Sequence, residues 1–196
     1  MSSNINSAIP PLGTPTTSGV RANFAAAKLE IEGLQTARGF ADYDDNATVS
    51  APLALVANTW KKMTNDTLGV NTRTDALPSG ITSVWNPSTN QFVFTEIPID
   101  STLDGRFDFI VTTNANNLTI DLSAFVGIGS ASAFEFPLLT SNHFPTSGSY
   151  KLTAHNAMYI GSADVKNYPT EIRMKCSGAG SVIVNGWFIR IDKKLD

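Results

Sequence analysis

Residues 106–125 read RFDFIVTTNANNLTIDLSAF, two runs of alternating apolar and polar residues on either side of an Asn-rich segment. Successive side chains of a β-strand point to opposite faces, so this alternation predicts two strands that each bury one face. The segment 114–117 has the composition of a tight turn. The stretch is therefore predicted to form a β-hairpin.

The same period of two recurs along most of the chain after residue 40. Further strands are predicted within 53–63, 80–94, 134–140, 149–161 and 171–194, with two strands in 80–94 and two in 171–194. About eight to ten strands without helices between them are typical of an antiparallel sandwich. We predict an all-β fold: an antiparallel jelly-roll-like β-sandwich at 40–196, preceded at 1–39 by an extended N-terminal arm and one short α-helix.

The stretch 13–35, GTPTTSGVRANFAAAKLEIEGLQ, departs from this period. Its apolar residues are spaced by four, three, four and three, the pattern of a coiled-coil seam. The predicted seam consists of Val20, Phe24, Ala27, Ile31 and Leu34. A helix of this length is marginal in isolation, so it needs a partner: its own β-domain, copies of itself in a short bundle, or another protein. Gly39 is expected to end it.

Residues 1–17 are rich in Pro, Ser, Thr and Asn, a composition that favours extended conformations over a packed core. This arm is therefore expected to dock on another surface. The residues predicted to make that contact are Ile5, Ile9, Pro10, Pro11 and Leu12. The N-terminus lacks the basic and apolar regions of a secretion signal, so we expect a soluble protein made inside a cell.

Composition narrows the classes of partner. A chain of 196 residues is long enough to bury a core without disulfides or metals. The net charge of −3 gives no basic face for nucleic acid. No apolar stretch approaches the length of a membrane span. Cys176 is the single cysteine, which excludes an intramolecular disulfide. Neither nucleic acid nor membrane is therefore expected as a partner.

Motifs for catalysis are missing from the sequence. There is no Gly-x-Ser-x-Gly elbow, and the glycines at 127–129 lack the third glycine of a dinucleotide fingerprint. His143, His155 and Cys176 do not have the spacing of metal ligands. We predict that the protein is not an enzyme and has no catalytic residues, no cofactor and no metal site.

Two groups of residues admit a weaker alternative. Asp42, Asp44 and Asn46 have the spacing of the first ligands of a calcium loop, but its later glycine and glutamate positions hold other residues. A solvated turn is expected there, with weak surface calcium as the alternative.

Three aromatic residues in predicted loops, Tyr43, Trp85 and Phe144, could contact a sugar. Single aromatic residues of this kind more often close the edge of a core. We therefore expect them to be structural, with sugar contact as the alternative.

Two segments carry a resemblance to a known class of protein. Residues 14–35 resemble an N-terminal segment of structural proteins of tailed bacteriophages, in which a Thr-rich arm leads into a short Asn-Phe-Ala-containing helix. Residues 52–99 look like the start of phage β-sandwich domains used in fibres, receptor-binding tips and capsid decoration. The matching residues are ANTW at 57–60, TND at 64–66, LPSG at 77–80 and WNP at 85–87.

This resemblance implies a virion protein made in the host cytoplasm, a homotrimer with a jelly-roll body similar to tumour-necrosis-factor-like folds. Its expected partners are its own copies and the major capsid protein or another virion protein. A small body with a docking arm and no long repetitive shaft favours a capsid decoration, or cement, protein. The alternative is a short head or tail fibre, or a receptor-binding protein that recognises a host-surface glycan.

Overall fold

A computed structural model of the protein describes residues 17–194, and for 34–36 it describes the backbone alone. Three helices lie in this range: α1 (Thr17–Thr36), α2 (Ala47–Ser50) and α3 (Ala163–Asn167). The strands are β1 (Arg38–Asp44), β2 (Leu53–Leu55), β3 (Lys61–Lys62), β4 (Trp85–Asn86), β5 (Gln91–Phe92), β6 (Thr102–Thr113), β7 (Leu118–Val126), β8 (Phe134–Phe144), β9 (Gly148–Tyr159), β10 (Glu171–Cys176) and β11 (Gly180–Asp192).

The strands form two antiparallel sheets and one small hairpin. The first sheet has the order β1-β11-β6-β9, and β2 also pairs with β11; the second has the order β3-β10-β7-β8. Strands β4 and β5 form a separate hairpin, as predicted for 80–94. Along the chain, β6, β9 and β11 lie in the first sheet and β7, β8 and β10 in the second, and the two sheet orders together are those of a jelly roll. The predicted fold class, an antiparallel jelly-roll sandwich with a short helix before it, is therefore confirmed.

The predicted hairpin at 106–125 is wrong. Both strands exist, but β6 lies in the first sheet and β7 in the second. The Asn-rich link crosses between the sheets and bonds to other connections: the Asn114 N–H donates to the Ala179 carbonyl and the Asn117 N–H to that of Pro145, each at 3.2 Å. Alternation identified the buried face of each strand correctly, whereas the partner strand depends on the path of the link.

Two short helices interrupt the strands, contrary to the prediction that none would. The first, α2, is held by a buried hydrogen-bonded pair, since the Asp45 carboxylate accepts from the Thr48 N–H and hydroxyl at 2.7 and 2.6 Å. The Thr48 hydroxyl oxygen in turn accepts the Val184 N–H of β11 at 2.8 Å. These bonds tie the link between β1 and β2 to the first sheet.

Gly39 does not end the helix. The helix α1 ends at Thr36 and β1 begins at Arg38, two residues before the predicted start of the body. Gly39 lies within β1, where the backbone of 76–78 approaches so closely that a Cβ would overlap the Ala76 carbonyl. Glycine is needed at this position because another backbone packs against it, rather than because it terminates a helix.

A cluster of aromatic rings fills the core around Trp187 of β11. Its indole is fully buried, with ring centroids 5.5–5.6 Å from Trp85, Phe107 and Phe109 in edge-on geometries. Phe92 of the β4–β5 hairpin packs 4.8 Å from Trp85 and closes the cluster. Edge-to-face pairs of this kind add to the free energy gained by burial.

Replacement of Trp187 tests the importance of this cluster. Trp187→Ala removes a buried indole from the contact of three rings, and we expect the free energy of unfolding to fall by about 3–5 kcal/mol. Val70→Ala, at a side chain that is 99% exposed, is the control and should change it by less than about 0.5 kcal/mol. Denaturant titration followed by circular dichroism measures both, and equal stability of the two variants would contradict the assigned core.

Candidate functional site

The helix α1 stands apart from the sandwich. Every side chain described between Thr17 and Gly33 is exposed or half-exposed, and none is buried. Lys28 and Glu32, one turn apart, form an ion pair at 3.6 Å on the polar side. A helix in water with this little tertiary contact gains almost no stability from packing against its own domain. The β-domain is therefore not the partner that covers the helix in this structure.

The predicted seam residues lie on this uncovered helix. Phe24 is 72% exposed and Ile31 is 55% exposed, while Val20 and Ala27 are half-exposed. The side chain of Leu34 falls outside the described atoms, as do the predicted docking residues Ile5, Ile9, Pro10, Pro11 and Leu12. An exposed phenylalanine and isoleucine one seam repeat apart mark a surface suited to association with an apolar partner.

The register of the strands locates the end of the sandwich that adjoins α1. The first residue of β1, Arg38, lies in one row with a residue from each of its three neighbours in the sheet: Asp192, Thr102 and Tyr159. Strand β8 of the second sheet begins at this same end with Phe134, because the link 145–147 joins β8 to β9 at the opposite end. We call the end that contains this row the near end.

Exposed apolar side chains concentrate on α1 and at the near end. Among the described residues eleven large hydrophobic side chains are exposed. Three of them lie on α1, namely Phe24, Leu29 and Ile31, and four lie at the near end, namely Ile99, Phe134, Tyr159 and Tyr168. The remaining four, Val49, Val56, Leu68 and Val70, lie on α2 and on the loops after β2 and β3. The central parts of both sheet faces carry none of them.

The outer face of the second sheet is instead covered by a network of charges. The Glu171 carboxylate accepts from Lys62, Gln91 and Arg173 at 2.7–2.9 Å. The Arg173 guanidinium also lies over the Phe125 ring, 4.3 Å from its centroid. Burial alone would raise the pKa of Glu171, but these three hydrogen-bond donors together hold its pKa below the usual value.

The outer face of the first sheet is similar in character. Asp108 accepts from Arg106 at 2.8 Å and from the Thr153 hydroxyl at 2.7 Å. On the same pair of strands, β6 and β9, His155 Nε2 lies 3.0 Å from the Asp104 carboxylate. Polar groups that are already paired in this way present little apolar surface to a partner, so both sheet faces resemble solvated surfaces.

Replacement of Glu171 tests the network on the second sheet. Glu171→Gln removes the charge that Lys62 and Arg173 bond to, and we expect the free energy of unfolding at pH 7 to fall by about 1–3 kcal/mol. The folded pKa is lowered, so this stabilisation is present above the unfolded pKa and is lost as the pH falls through the folded value.

The difference between wild type and Glu171→Gln should therefore shrink below about pH 4.3, the pKa of a free glutamate. Glu135→Gln, an exposed carboxyl on the edge strand of the same sheet, is the matched control and should have a small effect throughout. Urea titrations between pH 3 and pH 7 measure both variants. A constant difference across that range would mean that the Glu171 charge does not stabilise the fold.

The structure separates the residues considered for chemistry. His155 lies on the first sheet, whereas His143 and Cys176 lie on the second, and Cys176 is fully buried. Among residues 17–194, no group of three or more His, Cys, Asp or Glu side chains is arranged to hold a metal ion. No described helix is long and apolar enough to cross a membrane.

The acidic segment after residue 41 is not a solvated turn. Asp42 and Asp44 lie on strand β1, and Asn46 lies in the link to α2. Burial, followed by the nearby charge of Asp44, raises the pKa of Asp42 above its usual value. The strand continues through these residues because Ala41 and Tyr43, which alternate with them, are buried in the core.

The structural interpretation of the three aromatic residues is confirmed, because Tyr43, Trp85 and Phe144 are all buried. Their predicted place in loops is wrong, since they lie on β1, β4 and β8. The polar atoms of Tyr43 and Trp85 form hydrogen bonds inside the protein. The Tyr43 hydroxyl accepts the Val84 N–H at 3.0 Å, and the Trp85 indole N–H donates to the Asn65 carbonyl at 3.0 Å. None of the three rings is available to a sugar in this structure.

The chain has similar counterparts among solved structures but none among family models or curated sequences. Among solved structures, the chain is similar to the Eiger TNF of S. frugiperda (8% identity, TM-score 0.47, covering 81% of this chain and 94% of that one). It is also similar to the PRD1 vertex protein P5 (16% identity, TM-score 0.39, covering 81% and 96%).

A third similar structure is VP2 in a subviral particle of infectious bursal disease virus, at 10% identity and a TM-score of 0.37. The match covers 48% of this chain and 25% of the VP2 chain, so it spans only a quarter of the length of VP2. Virus-particle and vertex proteins are thus among the structures that this chain is similar to. Likeness at these levels carries no statement about activity or partners.

Sequence reasoning did not find the near end. Phe134, Tyr159 and Tyr168 stand in strand-like or loop segments whose patterns do not distinguish them from core residues. Their exposure follows from where each strand ends relative to its neighbours, which only the register reveals. The one available signal was an aromatic residue at the boundary of a predicted strand, as at Phe134 in FEFPLLT.

Proposed function

We propose that this protein is a homotrimeric structural component of a phage virion, a capsid decoration protein that docks on the shell through its N-terminal arm. The observation that carries the proposal is the uncovered apolar seam of α1. The resemblance of residues 14–35 and 52–99 to tailed-phage structural proteins supports the virion role. The jelly-roll order of the strands is compatible with that role.

The seam has the chemistry of a self-association surface. Phe24 and Ile31 occupy equivalent positions one seam repeat apart. Ala27 lies between them on the seam, and Val20 precedes Phe24 by one turn. Removing each large apolar side chain from water contributes about 1.5–3 kcal/mol, and a symmetric bundle gains this from every copy. Charged residues on the same helix, such as Lys28 and Glu32, stay outside the seam and remain solvated.

Trimeric assembly also explains how a short arm could hold a small protein on a large shell. Each arm offers a few apolar contacts of modest affinity. Three arms carried by one bundle bind together, because the second and third contacts form at a high effective concentration. The observed helix is the element that would link the arms to the body.

Substitution in the seam tests the self-association. Wild-type protein should have the mass of a trimer by light scattering at micromolar concentration. Ile31→Asp places a carboxylate in an apolar contact and should shift the protein to monomer. Leu29→Asp is the matched control, because Leu29 is 68% exposed on the same helix but lies off the seam, and it should remain trimeric. A monomeric wild type would refute the trimer.

Deletion of the arm tests the docking. A chain without residues 1–17 should keep its folded body and lose binding to undecorated capsids, because the proposed contact residues are removed. Co-sedimentation with capsids measures binding, and circular dichroism checks the fold. Retained binding would show that the arm is not the anchor. Density for the protein at the tail of the parent particle would favour the alternative, a short fibre or glycan-recognising receptor-binding protein.

A further inference from the structure

We infer that the near end of the sandwich is a second interface between copies, at which Ile99, Phe134, Tyr159 and Tyr168 of one copy contact a neighbouring copy. This inference rests on the proposed homotrimer and assigns to its interface a surface beyond the helix seam. The occupant of the near end is therefore a second copy of this chain.

The dimensions of the helix and the sheet bring the near ends together. Helices packed in a bundle lie about 8–10 Å apart, and Ala37 alone separates α1 from β1. The three Arg38 residues of a trimer would therefore start at a similar separation. The row from Arg38 to Tyr159 crosses three strand spacings, about 14 Å. Near ends of that width, attached to helices this close together, would lie within reach of one another.

The helix separates the near end from the point at which the arm joins the described chain. The helix α1 has 20 residues and is thus about 30 Å long. The docking arm precedes its N-terminus, whereas the near end follows its C-terminus. The first residue of α1 therefore lies about one helix length from Arg38, where the near end begins. We assign the near end to the neighbouring copy, which a bundle of the helices would bring close to it.

The near end has the composition of a protein interface. Its apolar centre is mainly aromatic, with Phe134 48% exposed and Tyr159 64% exposed. Beside Phe134 lies a depression of about 550 Å³, counted to its open mouth, with Phe125 and Ile128 in its lining. Aromatic residues next to such a depression are typical of interface centres, where one side chain enters the concavity of the partner.

Charged residues surround this centre and are paired within the copy. Arg38 and Arg190 both contact the Asp192 carboxylate, at 3.2 and 2.9 Å. Lys194 contacts Asp100 at 2.7 Å. Paired charges at the rim leave no single sign of charge to repel an identical copy. A polar rim around an apolar centre is the usual anatomy of an interface.

Hydrogen exchange on the full chain tests this inference without altering the near end. The wild-type trimer is compared with the Phe24→Asp and Ile31→Asp double variant, which is expected to be monomeric. Amides at 134–136 and 158–160 should exchange at least about tenfold more slowly in the trimer, because the neighbour excludes water from them. Amides at 68–72, remote from the near end, serve as the internal reference and should exchange equally in both.

Substitution provides an independent readout. Phe134→Asp and Tyr159→Asp should each raise the trimer dissociation constant at least about tenfold, measured by sedimentation across a dilution series. Val70→Asp is the matched control at a fully exposed apolar residue away from the near end, and it should leave the constant unchanged. Circular dichroism verifies that each variant is folded. If either variant fails to fold, the hydrogen-exchange experiment, which leaves the near end unaltered, decides whether the near end is an interface.

The outcomes separate the two proposals. A wild-type trimer with equal exchange at the near end in trimer and monomer would overturn the near-end interface and leave the homotrimer standing. Unchanged dissociation constants in folded Phe134→Asp and Tyr159→Asp would overturn it in the same way. A wild-type monomer would overturn both.

Discussion

The burial of Trp187 is the contact on which the rest of the structure depends. Strand β11 pairs with β1, β2 and β6, so it is the central strand of the first sheet, and Trp187 anchors it to the interior. The indole meets rings from β6 and from the β4–β5 hairpin, two elements distant in the chain. With that ring in place, the hairpin closes one side of the core.

A core fixed in this way determines where apolar surface remains. Most large side chains of both sheets pack in the core, and the outer faces carry ion pairs such as those of Glu171 and Asp108. Two half-buried rings on these faces, Phe125 and Phe188, lie under arginine side chains. Seven of the eleven exposed large hydrophobic side chains among the described residues lie on the helix or at the near end, and the other four lie on α2 and on the loops after β2 and β3. The central parts of both sheet faces carry none of them.

The sequence predicted the fold class because alternation over long strands is a strong signal. In β6, Phe107 and Phe109 point inward while Asp104, Arg106 and Asp108 point outward, as the pattern indicates. The pairing of strands was less accessible. Alternation does not reveal whether a link such as 114–117 turns back or crosses to the other sheet, because both paths satisfy the same pattern of burial.

Candidate sites divided along the same line. The seam of α1 could be proposed from the sequence because its spacing is local, and its role as an interface stays a prediction, whereas the near end depends on residues far apart in the chain. Phe134 begins β8 in the second sheet and Tyr159 ends β9 in the first, and their shared position follows from the lengths of these two strands. The prediction that Gly39 ends the helix was wrong for a related reason, since the contact that requires glycine comes from a distant loop at 76–78.

The burial of Cys176 has a practical consequence. Its thiol is fully enclosed on β10, and the chain contains no other cysteine. Thiol reagents reach buried sulfur only when the structure opens. A cysteine introduced on the helix, on the arm or at a strand end would thus be the one reactive thiol of the folded protein. Labels or crosslinkers could then be attached at a single chosen site without removal of the native residue.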